Sequence, residues 1–97
     1  MRTVEWHPLA MEDLHEAAAT YKAQRVGRDE RFLAGVSATV ELLQRFSHLG
    51  RSVDEADRRG LLVHRFPYSV IYRVRAESIQ IVAIAHHKRD HGFWHGR

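Results

Sequence analysis

From Ile79 to Ala85 the chain is apolar at every position except Gln80. A β-strand of that composition is expected where both faces of a sheet are covered. The segment before it behaves differently. Tyr68, Val70, Tyr72 and Val74 alternate with Ser69, Ile71, Arg73 and Arg75, which is the period of a strand with two unlike faces. Ala76-Glu77 is short enough to be a turn between the two. Leu61 to Phe66 reads as a further strand, interrupted by Pro67, and Thr3 to Trp6 is a short β-prone start.

Between the first strand and the others the period changes to that of helices. Pro8 suits the first helical position, where its missing N–H costs nothing. Ala10, Leu14, Ala17, Ala18 and Tyr21 then form one apolar stripe. Glu12, Asp13 and Glu16 lie toward the positive end of that helix, and Lys22 and Arg25 toward the negative end. Gly27 is a natural stop. A second helix is predicted over residues 29–46, with Phe32, Val36, Val40 and Leu43 as its stripe and Leu33 beside it. The short connection makes the pair an antiparallel hairpin. Residues 50–60, polar and bounded by Gly50 and Gly60, read as a loop. The predicted fold is α+β, in the order β-α-α-β-β-β, a helical hairpin packed on a small, mostly antiparallel sheet.

The 97 residues suffice for one domain, taken as residues 1–97. There is no cysteine, which excludes disulfides and thiolate zinc sites and fits a reducing cytoplasm. No apolar run approaches the roughly 20 residues of a membrane span, and Met1 to Trp6 lacks the apolar stretch of a signal peptide. The net charge of +3 is unevenly spread. Residues 1–60 carry nine Lys and Arg against ten Asp and Glu; residues 61–97 carry six against two, with five of the eight histidines. A basic end of this kind suits an acidic or polyanionic partner.

Several chemistries can be weighed against this pattern. His87, His91 and His95 are four apart and would share a helix face, leaving zinc an open position. Gly92 and Gly96 oppose such a helix, so these read as surface histidines, with no metal and no cofactor. The serines lack a nucleophile-elbow context, and no glycine-rich phosphate loop exists. RNA cleavage by acid–base catalysis needs proton-transfer groups beside cations on the phosphate. Arg65, Arg73, His86, His87, Lys88 and Arg89 can supply those types, or can form a basic docking patch without chemistry. Phe93 and Trp94 can stack on bases, anchor a protein partner, or pack the tail onto the sheet.

Taken together, these residues resemble a known family. Leu62 to Val74 is similar to the central hairpin of the RelE/ParE toxin superfamily, and Ile79 to Asp90 continues it. Phe93-Trp94-His95-Gly96-Arg97 resembles the tail of many ParE-like members. Pro8 to Tyr21, with Leu14, Ala17 and Ala18, resembles the family's first helix.

The resemblance implies the toxin of a type II toxin–antitoxin pair, small, basic and cytoplasmic, often serving plasmid stabilisation. It implies an antitoxin partner with an acidic or disordered tail that wraps the toxin, a binding mode open to segments that fold as they bind. ParE-like members inhibit growth by poisoning DNA gyrase; RelE-like members cut mRNA on the ribosome. For the second activity the resemblance offers Arg65, Arg73, His86 and His87 as catalytic candidates. For partner or target binding it offers Arg65, Arg73, Lys88, Arg89, Phe93 and Trp94. RelE-like sites use a tyrosine or histidine in the tail and lysines before the hairpin. Here the tail has no tyrosine, Phe93 and Trp94 standing there instead while His86 and His87 keep the RNase reading open, and residues 50–60 hold Arg51, Arg58 and Arg59 but no lysine. These departures favour the ParE side. A relative that binds a partner without toxicity is the remaining reading.

Overall fold

A computed structural model describes residues 1–89 and 91–97; Asp90, the end of the segment similar to the family hairpin, lies outside the described residues. The elements are β1 (Thr3–Trp6), α1 (Pro8–Gln24), α2 (Arg28–Arg45), β2 (Arg51–Ser52), β3 (Arg58–Leu62), β4 (Tyr68–Val74) and β5 (Ser78–His86). They form one five-stranded sheet in the order β1-β5-β4-β3-β2. β1 runs parallel to β5, and the other pairings are antiparallel.

Both helices form where the stripes predicted them. Pro8 opens α1, and the His7 ring accepts the Leu9 N–H at 3.1 Å as its cap. Gly27 caps α2 at φ 85°, a left-handed conformation that costs glycine little. Phe32, Val36, Val40 and Leu43 are buried with Ala10, Ala17 and Tyr21 against Val70, Tyr72, Ile79, Ile81 and Ile84. Tyr72 is fully buried, and its hydroxyl fixes the turn after α2 by donating to the Ser47 carbonyl at 2.8 Å and accepting the Gly50 N–H at 2.9 Å.

The apolar run of β5 is covered on both faces, but its alternation is broken. Ile71 pairs with Ala83 and Tyr72 with Ile81, so Val82 is an extra residue in the ladder. This bulge lets Val82 and Ala83 both join the outer cluster, with Ile71, Ala85 and Trp94, while Ile81 and Ile84 face the helices.

The strand before Pro67 differs from the sequence expectation. It begins at Arg58 and ends at Leu62, and residues 50–60 contain β2 and most of β3 in place of a loop. Apolar alternation misses this start, because Arg58 and Arg59 hold their places by pairing with Arg73 and Tyr72. Val63 and Phe66, the apolar residues that suggested a longer strand, sit in the connecting turn. There the Val63 N–H bonds to the Tyr68 carbonyl at 2.9 Å, and Phe66 packs edge-on against Tyr21 and Phe32.

Candidate functional site

The C-terminal segment folds back over the outer face of the sheet. Trp94 is only 4% exposed and lies in the outer cluster, with its indole N–H donated to Asp54 Oδ2 at 3.3 Å. Burying a ring of this size contributes on the order of 3–5 kcal/mol, the cost of truncating it to alanine. Its faces are thus spent on packing. Phe93 is half-buried beside it, with the Arg89 guanidinium 3.7 Å from its ring centroid and Arg97 at 5.1 Å.

Arg97 closes the arrangement at the sheet edge. β1 accompanies β5 only as far as Ile81, which would leave the later main-chain groups on that edge of β5 without a strand neighbour. Asp13 on α1 accepts the Ile84 N–H at 3.2 Å, and Arg97 donates to the Val82 carbonyl at 3.1 Å. The two side chains also pair, at 2.6 Å and 3.4 Å. An acid and a base thus satisfy a strand edge together, which also blunts it against stray pairing. Asp13 was legible only as a residue near the helix dipole; its burial follows from its place on the stripe between Ala10 and Ala17, which is the signal that could have found it.

The sequence-predicted residues fall into three places. Arg73 is held at the tail, donating to the Arg97 main-chain oxygen at 3.1 Å, with Asp57 3.9 Å away. Arg65 lies in the turn after β3 at φ 71°, the one positive-φ residue other than glycine among the described residues, with its Nε 3.3 Å from His64 Nε2. His86 packs edge-on against Tyr68 at 4.9 Å and accepts the Lys88 N–H at 3.0 Å. His87 faces outward, its Nε2 3.1 Å from Ser69 Oγ. Lys88 is exposed. His87, His91 and His95 share no helix: residues 91–96 are a run of turns, and His95 faces Asp54 at 3.7 Å. Among the described residues no cluster of three potential metal ligands occurs.

Two cavities flank the end of β3. One, about 670 Å³, runs between α2 and the turn after β3. Arg25, Arg28, Arg31 and Arg65 surround it, and Ala38 and Leu42 form part of its apolar wall. Sequence reasoning passed over this set, although arginines at positions 25, 28 and 31 recur every third residue. The other, about 560 Å³, opens on the outer face of the sheet above Ile71, Ala85 and Trp94, with Arg51, His87 and Arg89 around it. Arg65 lines only the first of these and His87 only the second, while Arg73 lines neither. The first is a basic groove suited to an acidic segment; the second combines an apolar floor with cations.

A family model described as the ParE toxin of the type II toxin–antitoxin system, parDE, matches residues 4–91. Among solved structures, a chain of the chromosomal ParDE TA system from P. aeruginosa is similar at 26% identity, covering 89% of this chain and 96% of that one, with a TM-score of 0.65. No curated protein matches.

Proposed function

The chain belongs to the ParE toxins of type II toxin–antitoxin systems, and on that premise we propose that it arrests growth by poisoning DNA gyrase in the cytoplasm until a cognate antitoxin neutralises it. The observation that carries this reading is the family match across residues 4–91. The basic groove supports the antitoxin half of it: four arginines around an apolar wall suit an acidic amphipathic segment. Among the described residues no helix is long and apolar enough to cross a membrane.

The dispersal of Arg65, Arg73, His86 and His87 favours gyrase over RNA cleavage. A cleavage centre needs its acid, base and phosphate-binding cation within reach of one scissile bond. Here Arg73 is engaged by the tail, and Arg65 belongs to the groove on the other side of β3's end.

Induced expression in a bacterial host without antitoxin tests the reading, with growth, DNA integrity and mRNA integrity followed together. Arrest with DNA breaks and intact mRNA is the expected result, relieved when the antitoxin is co-expressed. Cleaved mRNA with intact DNA would replace gyrase poisoning by RNase activity.

A further inference from the structure

We propose that the outer-face cavity is the surface through which the toxin engages its target, and that it receives a protein loop carrying a carboxylate beside an apolar side chain. The inference rests on the toxin reading and adds to it a place and a chemistry. The cavity, about 560 Å³, has the size of a built binding site. Its walls include Leu49 and Leu62, which are 50% and 55% exposed, and Val53 at 36%. Three large aliphatic side chains left open on one patch mark an interaction surface. At Gly60 a Cβ would lie 2.9 Å from Val53 Cγ1 and 3.2 Å from Ile71 Cδ1, so a side chain there would displace two residues that line the cavity.

Charge sets the rest of the chemistry. Arg51, Arg89, His87 and His91 line the cavity, and no Asp or Glu does so among the described residues. Arg51 is exposed, and its guanidinium makes no hydrogen bond or ion pair among the described residues. A partner carboxylate could pair with it. A nucleic acid fits less well. Stacking needs an aromatic face, and the one aromatic ring system besides histidine here, Trp94, is buried. The exposed aliphatic surface instead matches an inserted apolar side chain.

The cavity also touches the basic groove. Leu61 and Leu62 line both. An antitoxin seated in the groove and a target loop on the outer face therefore meet at Leu62, so neutralisation includes direct competition there.

Three variants separate these surfaces: Arg51→Glu on the outer cavity alone, Arg31→Glu on the groove alone, and Leu62→Asp on the shared wall. Each is measured against purified DNA gyrase, against the cognate antitoxin and for growth arrest, with Leu49→Glu as a second outer-cavity variant. Arg51→Glu, by charge reversal at a complementary contact, and Leu49→Glu, by burying a charge on the apolar wall, should each weaken gyrase binding by about tenfold or more and should keep antitoxin binding. Arg31→Glu should do the reverse, and Leu62→Asp should lose both. Wild-type binding to gyrase with Arg51→Glu and Leu49→Glu binding equally well would overturn the inference and leave the toxin reading intact. So would a single-stranded oligonucleotide that binds the wild type, fails to bind Arg51→Glu and displaces gyrase. Wild-type protein that neither binds gyrase nor stops growth would overturn both. If it stops growth without touching gyrase, the gyrase reading falls. Arrest retained by the two outer-cavity variants then overturns the inference, and arrest lost with antitoxin binding kept supports it.

Discussion

Asp13 shows how much one side chain can carry in a chain of 97 residues. Its side chain is 7% exposed and that of Arg97 is 10%. Asp13 completes the hydrogen bonding of β5 at Ile84, and Arg97 does so at Val82. Removing one member of a buried pair costs about 3–5 kcal/mol, because the other charge stays buried without a partner. Total stability for a domain is only about 5–15 kcal/mol. Asp13→Ala should therefore lower the urea-unfolding free energy by about 3 kcal/mol or more. Asp13→Ala with Arg97→Ala should cost less than the sum of the single changes, since the two share one interaction. A single-variant loss within about 1 kcal/mol of zero, the range of an exposed ion pair, would contradict the buried pairing.

At the scale of elements, the C-terminal segment is secured at Arg97 and again at Asp54. Burial acts to raise the Asp54 carboxyl. The Trp94 indole N–H, the Arg58 charge at 2.8 Å and the Ala56 N–H outweigh it, holding Asp54 below its ordinary 3.8. A carboxyl depressed by folding adds stability above its unfolded pKa, and that stability is lost as the pH falls through the folded value. Below about pH 3.8 the indole contact should loosen progressively. Trp94 fluorescence in a Trp6→Phe background reports it, and Asp54→Asn should remove the acid step; a step that survives in that variant would assign it to another group. The burial of Trp94 against the sheet stood in the sequence as one of three readings, because an aromatic beside cations has the same signature in all three. The helices and β5 were legible because burial imposes its period on the apolar residues. β2 and the start of β3 were not: Arg51, Arg58 and Arg59 hold their places through cross-strand partners, Gly60, Arg73 and Tyr72, and not through an apolar period. Arg65 and Arg73 were legible as cations of one hairpin, but not as residues sent to different sides of it.

Over the whole molecule, the small net charge of +3 conceals a local concentration. Sequence reading placed the excess in residues 61–97, whereas three of the four arginines around the groove come from the end of α1 and from α2. The fold adds Arg65 to them and sets Ala38 and Leu42 on the same wall. Arg25, Arg28, Arg31 and Arg65 are all exposed, so the attraction proposed between them and an acidic antitoxin segment would act through water and be screened beyond about 8 Å at physiological salt. Affinity should accordingly fall as salt rises, mainly through a slower association rate. Arg28→Glu with Arg31→Glu should weaken antitoxin binding by about ten- to a hundredfold, a change of roughly 1.4–2.8 kcal/mol, and should flatten the salt dependence. The fold should survive, because neither side chain is buried. Calorimetric titration at two salt concentrations measures both effects. Unchanged affinity with a salt slope like the wild type's would move the antitoxin off this groove and leave its arginines as a solvated surface.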